Sequence, residues 1–269
     1  MDPTATTDLL EETWRSIIAV GQELSEEDWE RATDCPGWSV KDHVSHVIGT
    51  ERMLQGLPPA DVELEDLPHV KNAIGEFNER EAEVRREQSG AEVLAELREL
   101  ADLRLETLRS GDDAYFAQER MTPTGPGTML DFLSIRILDC WVHEQDIRRA
   151  VDRPGHMGGG PAEHTIDRLV RTIPIVVGKR ASAPEGSTTV IEITGPVART
   201  IPVLVEGGRA KVVDGAETGA PAVTVTMDTE TFLVLAVGRQ TAAQRAGQIT
   251  IDGDADLGQT IVDNLNMMI

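Results

Sequence analysis

The segment Leu138-Asp139-Cys140-Trp141-Val142-His143-Glu144-Gln145-Asp146 sets a carboxylate and an imidazole four residues apart inside a long, largely apolar helical stretch. Residues four apart share a helix face. At about 100° per residue, Asp139, His143 and Asp146 fall in one narrow sector flanked by Phe132, Ile135 and Val142, so the polar groups point where the apolar ones point. Any fold that buries this face must supply something that compensates the desolvation of a carboxylate and a histidine, and a divalent metal is one such partner. A second histidine, His46, sits on another helical segment.

At 269 residues the chain can bury a sizeable core and is long enough for two domains. Its 25 Lys and Arg stand against 47 Asp and Glu, and a net charge of -22 repels nucleic acid backbones and anionic membrane surfaces. Cys35 and Cys140 are the only cysteines, too few for a disulfide scaffold, which fits a reducing cytoplasm. Residues 1–12 lack a basic region followed by an apolar core, and no apolar run approaches the roughly 20 residues of a membrane span, so a soluble, unexported protein is expected. Lysine occurs only at Lys41, Lys71, Lys179 and Lys211, with arginine, alanine and glycine abundant, as GC-rich genomes encode.

The first half of the chain has helical periodicity. Leu10, Trp14, Ile17 and Ile18 mark a helix over 7–24, and Ser25 with Asp28 resembles a capping box. Ser39 can cap a helix from Val40 to about Gln55, which carries His43 and His46. After a proline-marked connection, a charged helix is expected over 72–110, broken or weakened near Gly90, and the loop 122–127 precedes a long helix from about Met129 to Val151. Four main helices in this order predict an up-down bundle. Past the linker-like run Gly158-Gly159-Gly160-Pro161 one more helix (163–178) leads into strand-like runs at 188–194, 200–205, 210–213 and 222–227, with a hairpin at Gly207-Gly208. A helix at 229–237, a strand near 248–252 and an amphipathic helix at 257–267 complete a small α+β domain.

The run Cys35-Pro36-Gly37-Trp38-Ser39-Val40-Lys41-Asp42, with Ser45-His46-Val47 and Glu51, resembles the N-terminal domain of the mycothiol-dependent maleylpyruvate isomerase family, actinobacterial relatives of the DinB-like metal-binding four-helix bundles. Trp141-Val142-His143 and Asp146-Ile147-Arg148 look like that family's second motif. Further on, Val223 to Asp228, Phe232, Leu235, Gly238-Arg239 and Ile249 to Asp254 are similar to sterol-carrier-like domains, which the isomerase family carries behind its bundle. The resemblance implies a multidomain α and α+β protein, with a DinB-like metal-binding bundle over 1–157 and a sterol-carrier-like domain over 158–269. It also implies a divalent metal, zinc in the isomerase, held here by His46, Asp139 and His143. The family has glutamate where this chain has Asp139, one methylene shorter but still an acceptable zinc ligand.

The expected function is that of a cytoplasmic metal-dependent enzyme that uses a low-molecular-weight thiol, mycothiol by resemblance, to isomerise or conjugate a small unsaturated or electrophilic substrate. A metal-dependent hydrolase and a non-catalytic small-molecule binding module are the alternatives on the same fold. Arg239 matches a family arginine thought to face the active site, where a guanidinium suits a substrate carboxylate. His43 matches no ligand position and reads as structural or exposed; Asp146 reads equally as an orienting acceptor for a ligand histidine or an arginine partner. Trp38, Trp141 and Cys140 read as packing residues. Oligomeric state is left open.

Overall fold

Each main helix of the first half begins where a short polar side chain can satisfy its open N–H groups. Asp2 caps α1 (Pro3–Gly21), with its carboxylate accepting from the Ala5 N–H. Reciprocal capping boxes start α2 (Glu26–Trp29) at Ser25 and α3 (Val40–Leu54) at Ser39, and Asn72 caps α4 (Ala73–Glu83). Ser89 does the same for α5 (Gly90–Ser110), which α6 (Asp113–Phe116) follows. The expected loop at 122–127 is instead a two-stranded hairpin, β1 (Glu119–Thr122) and β2 (Gly125–Thr128), whose Thr128 caps α7 (Met129–Ala150). The computed structural model describes residues 2–65, 67–215 and 219–267. It divides into two compact units, Met1–His156 and Met157–Ile269.

In the first unit α1, α3, α5 and α7 form a four-helix bundle around Leu10, Trp14, Ile17, Val44, Ile48, Leu97, Leu133 and Ile137. The order round the bundle is not the sequential one that a plain up-down arrangement predicts. Both α1 and α3 pack on α5 and α7, which sets α1 and α3 on opposite corners. The connections 22–39 and 55–89 carry helices of their own, so they are long enough to cross the end of the bundle rather than join neighbours. The charged stretch is broken just before Gly90, as its sequence suggests, into α4 and α5. Gly90 opens α5 because a Cβ there would strike the Trp29 indole.

In the second unit Gly159, at φ 88°, turns the chain into α8 (Gly160–Val170), so the glycine run opens a helix as well as linking. The helix expected to continue to 178 breaks instead, and α9 (Ile173–Ile175) and a single π-turn (Val176–Arg180) follow. A five-stranded sheet is then built from β3 (Thr188–Thr194), β4 (Arg199–Glu206), β5 (Arg209–Val212), β6 (Val223–Asp228) and β7 (Ile249–Gly253). Its order is β5-β4-β3-β6-β7, with only β3 and β6 parallel. Gly207 and Gly208 have positive φ, 61° and 72°, the two-residue turn that pairs Glu206 with Arg209. Alternating residues, among them Ile191, Ile201, Val225 and Ile251, line up across adjacent strands. α10 (Thr229–Ala236) and α11 (Ala255–Asp263) pack on β6, placing Phe232 and Ile261 in the core.

Candidate metal centre

Pro36-Gly37 makes the turn that begins the site. The Trp38 N–H donates to the Cys35 carbonyl at 3.1 Å and Gly37 takes φ 82°, a conformation that a Cβ resists. The Thr33 N–H donates to the Trp38 carbonyl and the Val40 N–H to the Arg31 carbonyl, so the loop is strapped to the start of α3. From there α3 presents His43, His46 and Glu51, and α7 presents Arg136, Asp139, His143 and Asp146. The partners run in opposite directions along the two helices. His43 meets His143, His46 meets Asp139, and Glu51 meets Arg136, a ladder of charge along one antiparallel seam.

The structure brings His46, Asp139 and His143 together, with one donor atom from each inside a sphere where all lie within 4.8 Å of one another. His46 Nε2 is 3.0 Å from Asp139 Oδ2, and His143 Nε2 is 3.5 Å from Asp139 Oδ1. Tetrahedral ligands about 2.0–2.1 Å from zinc stand roughly 3.3 Å apart, so the two imidazole nitrogens and the carboxylate are of the right kind and close enough to converge on one divalent cation. His46 Nδ1 is buried with no hydrogen-bond partner. Both histidines are buried, at 5% and 7% exposure, whereas the Asp139 side chain keeps 25% of its surface, and this is where the cluster meets solvent. The Trp38 indole packs on His43, His46 and His143 at centroid distances of 5.4, 5.4 and 5.8 Å and satisfies its N–H on Glu79 Oε2 at 3.0 Å. Packing is therefore its role, and its ring walls the cluster.

Charge around the cluster suits a cation. Burial pushes the His46 pKa down and outweighs the pull of Asp139, so its imidazole is held neutral with a lone pair to give. Burial raises the Asp139 pKa, but Arg136 and then His46 and His143 overcome it and hold the carboxylate well below its usual range. For His143 burial lowers the pKa, and Asp139 followed by Asp146 more than reverses that. Arg136 ion-pairs with Asp139 while its Nε donates to Glu51 Oε1 at 2.9 Å, and Arg104 Nε donates to Glu51 Oε2 at 3.0 Å. Glu51 is thus clamped between two buried guanidiniums, one of which anchors Asp139.

Sequence reading missed part of this surround. His43 is completely buried, not exposed: its Nδ1 is 2.8 Å from His143 Nδ1 and its Nε2 is 2.8 Å from Thr33 Oγ1. The i, i+3 spacing of His43 and His46 was the available signal. Asp146 does both jobs that the sequence allowed, with Oδ2 3.4 Å from His143 Nδ1 and an ion pair to Arg149, which also reaches Asp34 Oδ2 at 3.1 Å. Arg136, one turn before Asp139, went unremarked. Cys140 is a core residue, and burial pushes its thiol up to about 12. Trp141 is likewise fully buried and donates to the His156 carbonyl at 2.9 Å. Arg239 belongs to the second unit, where it is half-buried after Gly238 and directs Nη1 toward the Val237 carbonyl at 3.4 Å.

Residues 10–148 match the family described as the mycothiol maleylpyruvate isomerase N-terminal domain, and residues 168–265 match the SCP-2 sterol transfer family. Among solved structures, that of the mycothiol-dependent maleylpyruvate isomerase is similar over 94% of this chain and 93% of its own, at 16% identity and a TM-score of 0.58. A histidine-to-alanine mutant of that isomerase is similar over the same shares, at 16% identity and a TM-score of 0.55. At this identity the likeness is one of fold. No curated protein matches the chain significantly.

Proposed function

The chain belongs to the family of the mycothiol maleylpyruvate isomerase N-terminal domain, and on that premise we propose a divalent-metal enzyme that uses a low-molecular-weight thiol to isomerise or conjugate a small unsaturated or electrophilic substrate. The observation that carries the proposal is the convergence of His46, Asp139 and His143. In this reading the three side chains would hold the metal, zinc by the chemistry of two imidazoles and a carboxylate. A metal held there would supply a Lewis acid that lowers the pKa of a thiol, mycothiol by family, toward its nucleophilic thiolate.

The chain's own groups do the rest. Arg136 orients the Asp139 carboxylate, and Glu51 offsets the guanidinium charge so that the cluster does not repel a cation. Trp38 keeps water from one side of the histidine pair. Reversible addition of the thiolate to a double bond gives cis–trans isomerisation, and retained addition gives a conjugate. Arg239 is assigned a substrate carboxylate, for which a guanidinium is the fitting donor. A cytoplasmic protein with a small-molecule substrate and thiol as its partners, and neither nucleic acid nor membrane, is the matching setting. No helix among the described residues is long and apolar enough to cross a membrane.

The test is metal content of protein purified without added metal or a chelating tag, followed by turnover of maleylpyruvate with and without mycothiol. Near-stoichiometric zinc and thiol-dependent turnover are expected. Turnover without thiol would replace the proposal with a hydrolase, and a metal-free folded protein with a binding module. Arg239→Ala is expected to raise KM for a carboxylate substrate while leaving metal content unchanged.

A further inference from the structure

His43 and Asp146 flank Nδ1 of His143, the nitrogen that faces away from Asp139, and Thr33 stands behind His43 at its Nε2. Imidazole has two neutral tautomers, and only the one protonated on Nδ1 leaves an Nε2 lone pair for a metal. We infer that Thr33 and His43, with Asp146, are positioning residues that hold His143 as its Nδ1–H tautomer, presenting its Nε2 lone pair toward Asp139 and His46.

The direction of each hydrogen bond follows from its ends. The Trp38 carbonyl only accepts, so the Thr33 hydroxyl, 3.0 Å away, donates to it. The Thr33 oxygen then accepts, from the Cys35 N–H at 3.2 Å and from His43 Nε2–H at 2.8 Å. A neutral His43 that donates through Nε2 has its lone pair on Nδ1, which must accept from His143 Nδ1–H at 2.8 Å. Asp146 Oδ2, 3.4 Å from His143 Nδ1, attracts an N–H there, but Asp139 Oδ1 lies 3.5 Å from Nε2 and pulls equally on the other nitrogen, so it is the chain from the Trp38 carbonyl through Thr33 and His43 that selects Nδ1–H. Arg149, paired to the other Asp146 oxygen, fixes that carboxylate. The cluster of His43, His143 and Asp146 therefore works as an orienting set behind the metal ligand and not as a second metal site.

The inference deepens the proposed metal reading and rests on it for its affinity arm, while the tautomer is a property of the metal-free protein. Two-bond 1H–15N correlation spectra of metal-free, 15N-histidine-labelled protein should show His143 protonated on Nδ1 and His43 on Nε2. Zinc affinity, measured by competition with a chromogenic chelator, should weaken by about 10–100-fold in His43→Phe. It should return to near wild type in His43→Asn, whose side-chain oxygen restores an acceptor near the Nδ1 position. Thr33→Val, nearly isosteric, should free the His43 tautomer and weaken zinc binding less than His43→Phe, and it carries the test if the latter fails to fold. His143 protonated on Nε2 and not on Nδ1 in the metal-free wild type, or unchanged zinc affinity in His43→Phe, would overturn the inference. A wild type that binds no zinc yet shows the Nδ1–H form supports the relay and sinks the metal reading instead.

Discussion

The two units bury different kinds of side chain. Among the described residues, every buried charged or histidine side chain belongs to the first unit, including Lys41, Glu51, Arg104, Arg136, His143 and Asp146, whereas the buried polar side chains of the second are Thr165, Thr188, Thr189, Thr229 and Thr231. A sheet with helices on it needs only alternating apolar residues to be stable, and β3 and β6 provide that. Charges taken out of water cost several kcal/mol each unless paired, and a bundle core filled with leucine would be at least as stable. The ionic seam between α3 and α7 is therefore a sign of chemistry rather than of stability, and the comparison locates the candidate site without reference to any relative.

The strongest way to break this contrast is at the three converging residues. His46→Ala, Asp139→Ala and His143→Ala should each lose bound metal and thiol-dependent turnover by more than about 100-fold, read by metal analysis and initial rates. Asp139→Glu, which restores the family's longer carboxylate, should keep the metal. If the alanine variants retain it, the seam has no metal role. Next in size is Glu51→Ala, which leaves Arg104 and Arg136 buried beside one another without their shared anion. It should destabilise the first unit by about 3–5 kcal/mol in urea unfolding.

Smaller effects sharpen the contrast from the other side. Thr189 and Thr231 of the second unit bury hydroxyls with no hydrogen-bond partner. Replacing either by valine should change stability by less than about 1 kcal/mol, or increase it, because no bond is lost. A loss as large as that of Glu51→Ala would erase the distinction between the units.

The finest test is by pH. His156 has its pKa raised by its hydrogen bond to Glu144 at 2.7 Å, against burial and with further help from Glu12. A raised folded-state pKa means that the protonated form is bound more tightly by the fold. Its contribution is complete below the unfolded pKa of about 6.5 and is lost as pH rises through the higher folded value. Unfolding of the wild type followed above about pH 6.5 should show this loss, and His156→Gln should flatten that segment of the profile.

Most elements were legible because their signals are local. The box of Ser39 and Asp42 and the cap at Thr128 act within three residues, and the alternation of 188–194 and the glycines at 207–208 specify a strand and a turn with no outside help. The helix expected over 163–178 failed where Pro174 follows Ile173 and the last turn widens. Of the site, the spacing of Asp139, His143 and Asp146 showed one face, and family resemblance supplied His46. His43 was set aside because it matches no ligand position of the family, and the side chain it meets, His143, is a hundred residues on.

The sequence by itself determined most of the helices and strands and that a charged face lies within an apolar helix. Only the tertiary structure decided that α3 runs beside α7, so that His46 meets Asp139 across 93 residues. It alone placed Thr33 and His43 behind His143 and set Glu51 between two arginines. Periodicity and caps are written in neighbours a turn apart, but which faces meet is a choice among whole-bundle packings, settled by the burial of every helix at once.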